Sequence, residues 1–168
     1  MKKFHSKLLF LFVFVFSSSI SAATLYEDAL NRGINPTCAE YLNQIESSYN
    51  LNGINLTFAN PSETSLFPSL HISSQKYNNG SAILSATLIP DEEYCYLSTV
   101  LVTSINNQTC GEITQLKLEI DPELKVSNYA DGGYTIIAPK DNSYQIILTS
   151  ASEIGCTMAE TRMIWPGK

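Results

Sequence analysis

The stretch that decides the fold is residues 82–105, which read AILSATLIPDEEYCYLSTVLVTSI. Residues 82–89 and 94–105 are rich in Ile, Leu, Val and Thr, as β-strands are. Residues 90–93, Pro-Asp-Glu-Glu, have the composition of a turn. The stretch therefore predicts two antiparallel strands joined by a short turn.

More strands are predicted downstream, each bounded by a turn signal. Leu116, Leu118 and Ile120 alternate with charged residues, a pattern typical of a half-buried strand. Further strands are predicted at residues 124–129, 134–138, 144–150 and 156–165, with turns at 121–122, 131–133 and 139–142. Short turns between consecutive strands favour an antiparallel β-meander of six to seven strands.

The residues before this sheet predict helices. Asn35 and Pro36 suit the start of a helix, and apolar residues recur at helical spacing over residues 36–50. A shorter helix is predicted at residues 25–32, ending at Gly33, and residues 59–70 are expected to form a long loop. The predicted fold class is α+β, with an N-terminal amphipathic helix packed on the meander. The sequence shows no internal repeat.

Residues 1–22 have the layout of a secretory signal. Three lysines precede nine apolar residues, Leu8 to Phe16, and small residues offer cleavage after Ala22 or Ala23. Nine helical residues span about 14 Å, roughly half of a bilayer core about 30 Å thick, which is too short for a membrane anchor. We therefore expect this segment to be cleaved, and we expect no stable membrane insertion after cleavage. We expect a periplasmic or secreted protein, of bacterial type, whose residues 23–168 form one domain.

The net charge of the chain limits the classes of molecule that it can bind. Three of the ten basic residues and none of the 16 acidic residues lie in residues 1–22, so cleavage changes the net charge from −6 to −9. An anionic chain repels nucleic acid and anionic lipid. A basic protein is the partner that this charge favours, although solubility alone also accounts for it.

Four cysteines follow the signal: Cys38, Cys95, Cys110 and Cys156. An even number of cysteines in an exported protein predicts two disulfides. A zinc site is less favoured because no two cysteines lie at ligand spacing. We expect no metal and no cofactor.

The predicted meander decides how the cysteines pair. Cys95 and Cys110 are expected at opposite ends of a strand, roughly 33 Å apart, whereas a disulfide needs Cα atoms within about 7 Å. Counting turns places Cys156 at the same end as Cys110. The predicted disulfides are therefore Cys110–Cys156 and Cys38–Cys95.

The strongest candidate for partner binding is the turn at Asp91, Glu92 and Glu93, followed by Tyr94 and Tyr96. The carboxylates would attract a basic partner, and tyrosine offers contact area at low entropic cost. An ordinary solvated turn has the same composition.

Two weaker patterns suggest a hydrolase instead. Ser73 and Lys76 match the S-x-x-K pattern of penicillin-recognising enzymes, but no K-T-G follows. His71 is the only histidine of residues 23–168 and a candidate general base, although a surface position in a polar loop is the simpler expectation.

In general layout the chain is similar to periplasmic inhibitors and immunity proteins. The predicted function is an exported, non-enzymatic protein-binding module that masks a cationic partner. The alternatives are a small secreted hydrolase and an accessory subunit of an envelope or secretion assembly.

Overall fold

The computed structural model describes residues 23–49, 51, 53–129 and 133–164. The predicted signal segment, the first two residues of the 131–133 turn and Trp165 of the last predicted strand lie outside them. The helices are α1 (Leu25–Asn31), α2 (Pro36–Tyr49) and α3 (Cys110–Ile120). The strands are β1 (Asn55–Phe58), β2 (Ser69–Tyr77), β3 (Gly80–Asp91), β4 (Tyr94–Ile105), β5 (Lys125–Tyr129), β6 (Tyr134–Ala138), β7 (Tyr144–Ser152) and β8 (Gly155–Ile164).

All eight strands form one antiparallel sheet, in the order β1-β2-β3-β4-β8-β7-β6-β5. The α+β class is confirmed, but the sheet has more strands than predicted and is not a single meander. It consists of two four-stranded meanders, β1–β4 and β5–β8, which join where β4 pairs with β8. This join is possible because α3 carries the chain away from β4 to the far edge of the sheet.

The helices cover one face of the sheet. Side chains of α1 and α2, including Leu25 and Leu42, pack with Leu84 and Leu97 of β3 and β4. Ile113 of α3 packs in a second core formed with strands of the β5–β8 meander. Because side chains alternate along each strand, every second residue points to the opposite face, which no described helix covers. We call this helix-free surface the outer face.

The two halves of the chain repeat one plan that the sequence does not reveal. In each half a helix precedes four antiparallel strands. A cysteine in the first turn of that helix forms a disulfide with the second residue of the fourth strand, Cys38 with Cys95 and Cys110 with Cys156. The sheet therefore joins two similarly built units through their fourth strands.

The prediction of a strand at residues 116–120 is wrong, because these residues belong to α3. Thr109 caps the helix: its side chain accepts a hydrogen bond from the Glu112 backbone N–H, and Glu112 bonds back to the Thr109 N–H. This reciprocal capping box starts a helix locally. The alternating pattern misled because Leu116 and Ile120 are exposed, at 45 % and 82 %.

Strands β1 and β2 were not predicted. β2 buries Ser69, His71, Ser73 and Gln75 and leaves its apolar side chains on the outer face. A strand with a polar buried side does not show the usual hydrophobic signal. The expected loop is correspondingly shorter, residues 59–68, since Ser69 and Leu70 belong to β2.

The helices predicted at residues 25–32 and 36–50 correspond to α1 and α2, although residue 50 lies outside the described residues and a third helix, α3, lies in the middle of the chain. α1 ends before Gly33, whose φ of 79° lies in the left-handed region that glycine tolerates. The two helices also support each other, because the Glu46 carboxylate of α2 accepts hydrogen bonds from the backbone N–H groups of Leu25 and Tyr26. In the described part of the chain, no helix combines the length and apolarity needed to cross a bilayer.

Candidate protein-binding site

The hairpin between β3 and β4 projects from one end of the sheet. β3 pairs with β2 only as far as Leu88, and within the described residues β4 pairs with β8 only from Leu97 onward. Beyond these positions β3 and β4 pair with each other for three more residue pairs, ending at Asp91 and Tyr94. At about 3.3 Å per residue, this two-stranded ribbon extends roughly 10 Å past its neighbours. We call residues 89–96 the tip.

The tip carries all five residues of the predicted binding patch. Glu92 and Glu93 form the two-residue turn and are exposed, and Asp91 and Tyr94 flank them. Tyr94 is 49 % exposed. The structure therefore brings the three carboxylates and Tyr94 together on one accessible projection, while Tyr96 lies at its base.

A hydrogen bond organises one side of the tip. The Tyr96 hydroxyl donates to the Asp91 carboxylate at 3.2 Å, across the hairpin. This hydrogen bond and the negative charge of Asp91 raise the pKa of Tyr96 above its ordinary value, because both favour the protonated phenol. The hydrogen bond links the Asp91 carboxylate of β3 to the β4 strand of the tip.

The backbone at the turn is strained. Glu92 has a φ of 48°, in the left-handed region that glycine or asparagine ordinarily occupies in two-residue hairpins. A side chain in that region costs roughly 1 to 2 kcal/mol. The turn thus carries a carboxylate at a position where glycine would be more stable, and such strain is concentrated at functional sites.

A disulfide anchors the tip to the helical layer. Cys95, in the β4 strand of the tip, is bonded to Cys38 in the first turn of α2, with the two Cα atoms 5.2 Å apart. Both cysteines are 1 % exposed and belong to the core. The tip is therefore a short ribbon with an exposed acidic end and a covalently fixed base.

The second disulfide lies at the other end of the sheet. Cys110 of α3 is bonded to Cys156 of β8, and the partner of Cys156 across the sheet is Ile105, at the far end of β4 from Cys95. Both predicted pairings are confirmed. The expectation that Cys95 and Cys110 are too far apart to bond is consistent with this arrangement.

The sequence predicts a surface position for His71, but the structure buries this residue. It lies in β2 with 0 % exposure, and its Nε2 is 2.8 Å from Ser69 Oγ, while Nδ1 is 3.1 Å from Thr57 Oγ1. Burial lowers the pKa of His71 to about 4, against the opposing effect of the Asp28 charge. Ser69 is 3 % exposed, so this serine–histidine pair is closed to a substrate.

Asp28 of α1 extends the same network. Partial burial acts to raise the pKa of Asp28, but hydrogen bonds from Thr57 and Arg32 outweigh it and hold the pKa below its usual range. Arg32 also forms an ion pair with Asp28 at 3.0 Å. The network joins α1 to the buried side of β1 and β2, so its role is to stabilise the fold.

Ser73 and Lys76 do not form a catalytic pair. Both lie on β2, three residues apart, and alternation places Ser73 on the buried side and Lys76 on the outer face. Ser73 is 0 % exposed, and among the described residues its hydroxyl has no hydrogen-bond partner. The S-x-x-K pattern requires one turn of helix between these residues, and here it falls on a strand.

A charged cluster that no sequence motif predicts lies between the two cores. Glu160 of β8 is 8 % exposed and pairs with Arg162 at 2.8 Å, and the guanidinium also lies 4.9 Å over the Tyr144 ring. Burial and the nearby Glu160 charge raise the pKa of Tyr49 on α2. A shallow cavity of about 180 Å³ separates α2 from β4 and β8 here and includes Arg162 in its wall. The residues are scattered in sequence, so no motif marks them.

No metal-binding cluster of three or more His, Cys, Asp or Glu residues occurs in the part of the chain that the structure describes. Comparison with protein families, curated proteins and solved structures found no match to this chain.

Proposed function

We propose that this protein is an exported, non-enzymatic binding module that masks a basic protein partner, as inhibitors and immunity proteins do. The proposal includes residence in the periplasm or outside the cell, which two disulfides fit. The observation that carries the proposal is the tip: three carboxylates and Tyr94 on a projecting ribbon whose base is fixed to α2 by a disulfide.

Rigid projection favours binding for an energetic reason. A flexible loop loses conformational freedom when it binds, and this loss subtracts from affinity. The Cys38–Cys95 disulfide and the Tyr96–Asp91 hydrogen bond restrict the tip before a partner arrives. The clustered carboxylates add attraction at long range, which accelerates association with a cationic surface.

The test starts with capture of a partner. The oxidised protein, tagged and immobilised, is exposed to the extracytoplasmic fraction of its native host, and retained proteins are identified by mass spectrometry. We expect one abundant basic protein that moderate salt releases. An empty capture would contradict tight masking.

The second step assigns the contact to the tip. Replacing Asp91, Glu92 and Glu93 by Lys changes the net charge by six units. The matched control makes the same charge change at three exposed carboxylates outside the tip, Glu63, Glu119 and Glu153. We expect the tip variant to lose about 100-fold in affinity, measured by titration calorimetry, and the control to lose less than about 10-fold. Equal losses would mean that total charge, and not the tip, directs binding.

A further inference from the structure

The outer face of the sheet is a broad surface almost without charge. Its apolar side chains form rows across neighbouring strands, in which Ile83 pairs with Val102 and Val102 pairs with Ala159. Ile83 is 53 % exposed and Val102 is 37 % exposed. Isolated exposed apolar residues are ordinary, but a contiguous row across a sheet indicates a surface that another protein covers.

Acidic residues avoid this face. By the alternation of the described strands, the only carboxylate that points to it is Asp91, at the tip, and the only basic residues are Lys76 and Lys125, near strand ends. The rest of the face is apolar, hydroxyl-bearing or amide-bearing. Although the chain has 16 acidic residues, its described strands direct none of them to this face except Asp91.

Charge distinguishes between the possible occupants. A basic partner is steered to carboxylates, and away from the tip the described strands direct none to the outer face. The carboxylate of Asp141, in the turn between β6 and β7, lies at the margin of this face, where it lines a cavity with Ser98 and Met163. Two copies of an acidic chain repel each other wherever their carboxylates meet. The outer face is the surface on which two copies approach with little repulsion, and because its few charges lie near strand ends, it suits a surface identical to itself.

The size of the face is sufficient for a stable contact. Strands β2, β3, β4, β8 and β7 are each nine to twelve residues long. With a rise of about 3.3 Å and a strand spacing of about 4.8 Å, these five strands span on the order of 700 Å². A standard protein interface buries roughly 800 Å² on each partner.

We propose that the outer face is the interface of a homodimer, in which the sheets of two copies pack face to face. Packed sheets lie about 10 Å apart, with their side chains interdigitated. The turn residues Glu92 and Glu93 lie beyond the described ends of the pairing with β2 and β8, so dimerisation leaves these two carboxylates open. The proposal does not depend on the masking function.

Sedimentation velocity on the purified, oxidised protein tests the dimer. We expect twice the mass of one chain, and tighter association at higher salt because salt screens the repulsion between acidic copies. Tip-directed binding of a basic partner has the opposite salt dependence, so the two proposals fail separately. A wild-type protein that stays monomeric at about 100 μM, far above a micromolar dissociation constant, would overturn the dimer.

Two variants locate the interface. Val102→Lys and Ile83→Lys each place a charge on both sides of a two-fold contact, and we expect each to raise the dissociation constant by at least about 100-fold. The matched control is Ile120→Lys, at the end of α3, where the side chain is 82 % exposed. Melting temperature and circular dichroism verify that each variant is folded. Folded outer-face variants that dimerise as the wild type does would contradict the proposal, as would equal dissociation of the control.

Discussion

Ser69 Oγ lies 2.8 Å from His71 Nε2, and both side chains are buried. The arrangement resembles a nucleophile and its base, but its effect is on the stability of the folded protein. The imidazole is neutral in the folded protein because burial lowers its pKa to about 4, whereas in an unfolded chain the ordinary value is about 6.5.

The first prediction concerns acid destabilisation. Between pH 6.5 and 4 the unfolded state binds the proton on His71 and the folded state does not, so the free energy of unfolding falls as the pH falls. Above pH 6.5 His71 is neutral in both the folded and the unfolded state, so the free energy of unfolding no longer depends on its protonation. We expect His71 to account for a loss of about 2 kcal/mol between pH 7.5 and pH 5.

Urea titrations of wild type and His71→Gln at several pH values measure this effect. Glutamine can bond to Ser69 and Thr57 but does not titrate, and carboxylate contributions cancel in the difference between the two proteins. The variant should therefore show a smaller loss over this range, whatever its stability at pH 7.5. Parallel pH curves for the two proteins would show that His71 does not cause the loss of stability at acid pH.

The second prediction separates stability from binding at the tip. Glu92 adopts a φ of 48°, which glycine tolerates better. We expect Glu92→Gly to leave the free energy of unfolding unchanged or to raise it by up to about 1 kcal/mol, while affinity for the basic partner falls.

Asn142 provides the matched control. Its φ is 54°, in the turn between β6 and β7, outside the tip. Asn142→Gly tests the same backbone relief without touching the tip carboxylates, and we expect it to leave affinity unchanged. Thermal melts and calorimetric titrations of both variants provide the data. If Glu92→Gly binds as tightly as wild type, the strained carboxylate has no role in recognition.

The third prediction compares the two disulfides. They close loops of similar length, with sequence separations of 57 and 46, so each stabilises the fold by about 4 kcal/mol in the chain-entropy account. Replacing both cysteines of either pair by serine should therefore lower the free energy of unfolding by similar amounts.

Partner affinity should distinguish the two pairs. Only Cys38–Cys95 fixes the base of the tip, so its removal should weaken binding at a temperature where both variants are folded, whereas removal of Cys110–Cys156 should not. Denaturant titrations establish the folded range, and surface plasmon resonance measures dissociation. Equal effects on affinity would show that the disulfide does not preorganise the tip.

Local signals were sufficient for much of the fold. The β3–β4 hairpin, the two N-terminal helices and the strands after residue 124 follow from hydrophobic periodicity, Pro and Gly turns and the Asn35–Pro36 helix start. The disulfide pairing was predicted correctly even though one strand was wrongly assigned. α3 occupies the place of that strand in the chain, so the number of chain reversals between Cys110 and Cys156 is unchanged.

The patch at Asp91, Glu92 and Glu93 was recognisable because its residues are consecutive. Its projection beyond β2 and β8 was not, since that depends on where strands distant in sequence stop pairing. The buried position of His71 was missed for a similar reason. Thr57 and Ser69 hydrogen-bond to the buried imidazole, and Thr57 lies on another strand, too far along the chain to form a local motif with it.

The sequence by itself determined α1, α2 and six of the eight strands, and it gave the position of the candidate tip. It also determined the acidic charge and the oxidised state expected of the four cysteines. The tertiary structure alone decided that β4 pairs with β8 and that the chain forms two similar units. It also decided that no described helix covers one sheet face, to which the described strands direct no carboxylate except Asp91. The physical reason is range. Helix caps, turns and side-chain alternation act over a few residues, whereas the pairing of β4 with β8 depends on contacts between residues more than fifty positions apart.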